Sequence, residues 1–317
     1  MKETFVHKDM ALTSWDTDVP SPKAGQVLIR AVVSGTNPKD WKMPPLWPAG
    51  GTSFNQGDDI AGDIERMGDD LVGFTKGDRV AAFHQVTKPH GSYADFEEAA
   101  RIPLAALTAA LGLYQTMKLP LPWNPTINPI PLVIYGGATA VGAFTIKFAS
   151  VSNIHPIITI AGNGIPFVKT LLSPEKEGVV IDYRDSDEAV RTQIKAASGT
   201  RPVNCTYDAV SEKGSFQNIG CALTGPGEMA IILPSGEFSP PEGVGINQTI
   251  EHAEFGAAFF QLIGRGLRQG WFEGHLIEVR PGGLARLEGA LQDLKKGMAS
   301  AVKYVVHVGE TEGVQGF

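Results

Sequence analysis

The chain has 317 residues, 43% of them hydrophobic and 19% charged, which is the make-up of a well-packed globular protein and excludes a disordered one. Its formal net charge of −7 leaves no basic surplus to neutralise the phosphates of DNA, RNA or an anionic membrane, so no nucleic-acid or membrane partner is expected and a small-molecule substrate is. Cys205 and Cys221 are too few for a disulfide framework or a thiolate zinc site, and the opening MKETFVHKDMAL has no continuous hydrophobic region, so a reducing, cytoplasmic setting is the expectation.

From Met1 to about Arg101 the sequence reads as short β-strands punctuated by Gly and Pro, with QVLIRAVVSG, DDIAGDIERMG and GDRVAAF as the clearest of them. The grammar then changes. PLAALTAALGLYQTM carries Ala and Leu at helical spacing, and apolar strands, small-residue turns and helices alternate after it. PLVIY is followed by the helix TAVGAFTIKFASV, PIITIA by the helix PFVKTLL, and GVVIDY by a charged helix near DEAVRTQIKAA. CTYDAV and EMAIILP are further strands, and the order is that of a parallel, doubly wound α/β sheet. Beyond FFQLIGRGLRQGW, the strand HLIEVR, the helix LARLEGALQDLKKG and the terminal strand AVKYVVHV read as a return to the first domain. The predicted division is a β-domain over 1–104 and 262–317, with an α/β domain over 105–261.

The stretch LVIYGGATAVGAF ends a strand in a tight turn that opens a helix. Such a turn aims backbone N–H groups outward at the positive end of the helix dipole, a setting that suits a pyrophosphate. Gly137-Ala138-Thr139-Ala140-Val141-Gly142 keeps the outer glycines of G-x-G-x-x-G and has Thr139 in the middle. The alternative is that Gly136 and Gly137 only make a sharp turn while Gly142 lets the helix lie close to the sheet. Position favours a dinucleotide, since the turn follows the first strand of the α/β part. At the end of the second strand, Ala161, Gly162 and Asn163 carry no carboxylate for the ribose hydroxyls, which points to NADPH, with NADH as the alternative. Lys169, Tyr183 and Arg184 could add charge or stacking there, or be solvated loop residues.

Taken together, SGTNPKDWK, GDDIAG, GDRVAAF, HGSYA, IPLAALTAALGLY, GGATAVG, VIDYRD and ASAVKYV resemble the medium-chain dehydrogenase/reductase superfamily. More narrowly they resemble its zinc-free quinone oxidoreductase and fungal trans-acting enoyl reductase-like branch, in the same order along nearly the whole chain. The resemblance implies a GroES-like β-domain split between the two termini, a Rossmann domain inserted into it, and an active site between them. It also accounts for Thr139, because members of this branch often have a small polar residue in place of the middle glycine.

The resemblance further implies that Asn37, Asp40 and Lys42 lie near the nicotinamide ribose and that Thr108 contacts the nicotinamide end. Gly137, Ala138, Thr139, Val141 and Gly142 would meet the pyrophosphate, Tyr183 the adenosine phosphate, and Lys303 a further part of the cofactor. Val210, Leu233 and Pro234 would lie beside the nicotinamide, with simple sheet packing as the alternative. Relatives carry a lysine soon after the second strand to meet a 2′-phosphate, and Asn163 occupies that place here. No metal is expected: TNPKD stands where the cysteine motif of the zinc enzymes would lie and GDDIAG where their Gly-His-Glu would lie. Lys39, Asp40, Asp58, Asp59 and His84 then read as a charged turn and a surface histidine.

The expected function is NADPH-dependent, zinc-independent hydride transfer to a quinone, enone or enoyl-type acceptor, with a homodimer as the assembly common among the apparent relatives. Lys42, Tyr93 and His84 are the candidates for the group that handles the proton. One departure stands out. GSYADFEEAARIPLAALTAA runs almost directly into a helix, whereas relatives place a further strand and turn between GSYA and FEEAA. A deletion there, or a gene-model artefact, leaves open a second reading: a non-redox cyclase or isomerase, or a redox-inert nucleotide-binding protein on the same fold.

Overall fold

The computed structural model describes residues 1–46, 55–84, 102–234, 239–240, 242–248 and 253–314. Tyr93 and the shortened stretch that follows it lie outside them. The chain forms two compact units, Met1–Leu104 with Gly274–Phe317, and Ala105–Glu273.

The first unit opens with an antiparallel hairpin of β1 (Lys2–Val6) and β2 (Leu12–Asp16). Phe5 and Trp15 lie across it with ring centroids 4.7 Å apart. β3 (Val27–Gly35) leads into the single turn of α1 (Lys39–Lys42), and β4 (Asp59–Met67) and β5 (Arg79–Phe83) follow.

The second unit begins within α2 (Pro103–Ala110), which continues as a π-helical segment, Leu111–Thr116. Tyr207 packs against the widened turn. A Cβ on Gly112 would stand 2.2 Å from the ring of Tyr207, and the Tyr207 hydroxyl donates to the Thr108 carbonyl at 2.8 Å. Then come β6 (Leu132–Tyr135), α3 (Ala140–Val151), β7 (Ile157–Ala161), α4 (Ile165–Leu171), β8 (Val179–Asp182), α5 (Asp187–Ser198) and β9 (Val203–Asp208). The unit closes with α6 (Ser215–Gly220), β10 (Leu223–Ile231), β11 (Val244–Gln248) and α7 (Ala253–Gln269).

The six strands of this unit are all parallel, in the order β11-β10-β9-β6-β7-β8. β6 and β7 are buried at every position, which is why their sequences are nearly continuous apolar runs instead of alternating ones, and the buried Thr159 hydroxyl donates to the Ile134 carbonyl at 3.0 Å. Val133, Ile158, Ile160, Val190, Ile194, Phe216 and Met229 form the core on one face. Elsewhere in the unit Phe144 stacks on Phe272, Phe272 packs against Phe148, and Phe148 meets Phe259 edge-on.

The chain returns to the first unit with β12 (Ile277–Val279), α8 (Leu287–Lys295) and β13 (Lys303–His307). These complete a sheet in the order β12-β13-β3-β4-β5. Gly35 pairs with Asp59 on one side and with Val305 on the other, so the end of β3 and the start of α1 lie between Asp59 and the beginning of β13. The return comes at Gly274, not at 262 as the sequence predicts, because α7 runs unbroken to Gln269 and stays with the second unit.

Candidate functional site

In the second unit, β8-β7-β6-β9-β10-β11 is the strand order 3-2-1-4-5-6 of a dinucleotide-binding sheet, and the order reverses between β6 and β9. The crevice at that reversal lies beyond the carboxyl ends of the strands, where the turn from Gly136 to Gly142 sits. Gly136 has φ +84°, and its amide and that of Gly137 both donate to the Ile160 carbonyl, at 2.9 and 3.0 Å. A side chain on Gly137 would meet the Thr159 hydroxyl at 2.2 Å, and one on Gly142 the Gly136 carbonyl oxygen at 2.2 Å. Gly136 is therefore favoured by its backbone angle, and Gly137 and Gly142 are needed for close approach within the turn.

Thr139 is the N-cap of α3: its hydroxyl oxygen accepts from the Gly142 amide at 3.0 Å, and its carbonyl accepts from Ala143 at 2.8 Å. The first amides of a helix have no carbonyl a turn before them. With Gly142 satisfied by Thr139, those of Ala140 and Val141 are left facing out of the N-terminus. The hydroxyl expected at a pyrophosphate thus also orders the turn, a second use that the motif alone does not disclose. Val210 packs against the same turn, its Cγ2 lying 2.6 Å from where a Gly136 Cβ would stand. It follows Asp208, whose buried carboxylate accepts from Val210 N, Ser211 N and the Ser215 hydroxyl. Burial raises the Asp208 pKa and these donors oppose the rise.

Asn163 is exposed just past β7, and Tyr183 just past β8 lies over Gly162, where a Cβ would meet its ring at 2.5 Å. Leu233 and Pro234 follow the end of β10, half-buried and exposed respectively. Thr108 is half-buried on α2. The turn, Asn163, Tyr183, Val210, Leu233 and Pro234 are all carried at strand ends on the same edge of the parallel sheet.

In the first unit, Asn37, Asp40 and Lys303 come together, but buried. The Asn37 amide donates to Asp40 Oδ2 at 2.7 Å, and its side chain donates to Asp59 Oδ2 at 2.7 Å. Lys303 Nζ donates to Asn37 Oδ1 at 3.1 Å and makes a close ion pair with Asp59, while Leu104 N donates to the other Asp59 oxygen at 2.6 Å. Beside this triangle, the Lys39 ammonium stands 3.1 Å from Asp40 and 2.7 Å from Asp58 and donates to the Gln56 carbonyl at 2.8 Å. Burial alone would lower the Lys39 pKa, yet the charges of Asp40 and Asp58 hold it above its ordinary value. Burial pushes the Asp40 carboxyl up to about 6 against the attraction of Lys39.

The charged residues at this end of β4 are accordingly an interior network and not a solvated turn. His84 is not a surface residue either: its side chain is 12% exposed, with Nδ1 3.8 Å from Asp58. Lys42 is half-buried with its ammonium 5.5 Å from the centre of the Trp41 ring. Asp59 as the partner of Lys303, and Asp58 as the second partner of Lys39, have no local sequence signal. Among the described residues no three His, Cys, Asp or Glu side chains converge to hold a metal ion, and no helix is long and apolar enough to cross a membrane.

Comparison with known proteins places these features in a family setting. Residues 23–118 match the alcohol dehydrogenase GroES-like domain. A trans-enoyl reductase of Gibberella fujikuroi is 38% identical over 309 residues, which are 89% of this chain and 91% of that protein. An alcohol dehydrogenase superfamily protein from Novosphingobium aromaticivorans has the same fold, with a TM-score of 0.80, 19% identity and coverage of 97% of this chain and 99% of that one. A quinone oxidoreductase of Pseudomonas syringae superposes with a TM-score of 0.76 at 19% identity, over 96% and 99% of the two chains.

Proposed function

The chain belongs to the medium-chain dehydrogenase/reductase superfamily, in its fungal trans-enoyl reductase-like branch, and on that premise we propose that it is an NADPH-dependent, zinc-independent reductase of activated double bonds in a small-molecule acceptor. The observation that carries this reading is the turn at the strand-order reversal. Its glycines allow a pyrophosphate close to the backbone, and the outward amides of Ala140 and Val141 supply donors at the positive end of α3. These residues fit a dinucleotide, with Ala138 and Thr139 alongside. Asn163 brings no negative charge to the ribose end, which supports NADPH over NADH.

When bound, NADPH supplies a hydride to the carbon conjugated with a carbonyl group. The protein's part is to hold the dinucleotide and stabilise the charge that develops on the carbonyl oxygen, after which the neighbouring carbon takes its proton from solvent. Lys42 is the residue we assign to that oxygen, as a half-buried ammonium steadied over Trp41. His84 is turned toward Asp58 inside its own unit, which favours Lys42 over it. Zinc independence is supported by the charge balance: Asp40 and Asp58 are met by Lys39 and Asp59 by Lys303, so the region already has its cations. The acceptor class follows the relatives' activity, with an enoyl thioester ahead of an enone or a quinone.

The test is to titrate NADPH and NADH against the purified chain, then follow the absorbance of the reduced nicotinamide with enoyl thioesters, enones and quinones. NADPH binding followed by oxidation with an enoyl acceptor is expected. Failure to bind either dinucleotide would overturn the site assignment, and binding without oxidation by any acceptor would favour the non-redox reading.

A further inference from the structure

If the turn holds a dinucleotide, as proposed above, the adenosine ribose lies beyond the carboxyl end of β7, the second strand of the unit. There the choice between phosphorylated and unphosphorylated cofactor is made. β7 ends at Ala161, and the Gly162 and Asn163 that follow it offer no charge of either sign. A charge does arrive from the neighbouring strand. Arg184, just past β8, reaches across to donate through Nη1 to Asn163 Oδ1 at 2.6 Å.

The same guanidinium is fixed from behind. Its Nε donates to Asp182 at 2.9 and 3.1 Å, and its Nη2 to Asp182 Oδ2 at 2.5 Å. The Arg184 amide donates to the same carboxylate at 2.9 Å. A guanidinium has five N–H donors. Three are used by Asp182 and Asn163, and one remains on each terminal nitrogen of a side chain that is 53% exposed. Between the two lies Tyr183, its ring against the Gly162 backbone. The arrangement is a donor fork already held in position at the edge where the ribose would lie, so little side-chain freedom is left to lose when a phosphate arrives.

We propose that Arg184, oriented by Asp182 and Asn163, is the residue by which this chain recognises a 2′-phosphorylated dinucleotide and prefers it to the unphosphorylated form. Because Asp182 balances its charge, the preference comes from directed hydrogen bonds to phosphate oxygens more than from a general positive field. Asn163 is part of the same device, since its carbonyl oxygen holds the guanidinium over the end of β7. Lys169, exposed on α4, provides an internal comparison as a nearby cation with no such fixing.

The experiment is calorimetric titration of the full chain with NADPH, NADH and adenosine 2′,5′-bisphosphate, for the wild type and for Arg184→Ala, Arg184→Lys, Asn163→Asp and Lys169→Ala. Arg184→Ala is expected to raise the Kd for NADPH and for the bisphosphate by about tenfold, the equivalent of one charge-assisted hydrogen bond, and to leave NADH unchanged. Arg184→Lys should fall between, Asn163→Asp should weaken NADPH selectively, and Lys169→Ala should change neither dinucleotide. Parallel losses for NADPH and NADH in Arg184→Ala, no loss at all, or discrimination carried by Lys169 would overturn the proposal. A wild type that binds neither dinucleotide would instead overturn the cofactor reading on which it rests.

Discussion

Gly142→Ala probes the proposed site with a single methyl group. The new Cβ would lie 2.2 Å from the Gly136 carbonyl oxygen, 2.8 Å from its carbon and 3.0 Å from Gly137 Cα. All three are main-chain atoms and cannot rotate away. Non-bonded heavy atoms settle at about 3.5 Å or more, so the start of α3 and the turn must part by roughly 1 Å. For stability two effects oppose one another. Alanine is favoured over glycine in a helix by about 1 kcal/mol, while overpacking costs about 1–3 kcal/mol, leaving a net loss of roughly 0–2 kcal/mol. Binding has no such compensation, because the displaced amides of Ala140 and Val141 are the donors proposed for the pyrophosphate. A hydrogen bond to a charged group contributes about 1.5–3 kcal/mol, so losing one weakens binding by about tenfold or more. NADPH and NADH should suffer equally, since the pyrophosphate is common to both. Urea unfolding gives the first quantity and calorimetric titration the second. Wild-type affinity for both cofactors in a folded Gly142→Ala protein would refute the assignment of the turn.

Lys303→Met should destabilise the chain by about 3–5 kcal/mol in urea unfolding, because it leaves the buried Asp59 carboxylate without its cation. Adding Asp59→Asn to that variant should restore part of the loss, and a double variant no better than the single would contradict the pairing. The Asp40 carboxyl is raised from 3.8 to about 6 in the folded chain, so the folded state binds its proton more readily than the unfolded state does. Its contribution to stability therefore grows as pH falls from about 6 toward 3.8 and diminishes as pH rises through that window. The difference between wild type and Asp40→Asn, measured by urea unfolding across the window, should show that slope, and a flat difference would count against it.

The parallel sheet is legible in the sequence where burial is complete. The apolar runs of β6 and β7, and the small residues between β6 and α3, identify strand, turn and helix by composition alone. β11 is harder to see, because an edge strand reading VGINQ is partly exposed and has neither an apolar run nor a clean alternation. The π-helical continuation of α2 packs against Tyr207, nearly a hundred residues away, a contact that leaves no local trace. The same is true of the buried ion pairs. Lys39, Asp58 and Lys303 look like surface residues in sequence, and only the pairing of β3 with β4 and β13 brings their partners within reach. At the edge proposed for the nucleotide, the small-residue turn and the strand ends are legible, whereas the way Thr139 caps α3 and Arg184 crosses from β8 to Asn163 is visible only in the side-chain geometry.

Hydride transfer itself is tested most directly with NADPH carrying deuterium at the transferable C4 position, incubated with the chain and an enoyl thioester, followed by mass spectrometry of the product. A reduced product carrying one deuterium from the cofactor is expected. Bound NADPH that remains unoxidised, or a product with no deuterium, would contradict the reading of this chain as a reductase.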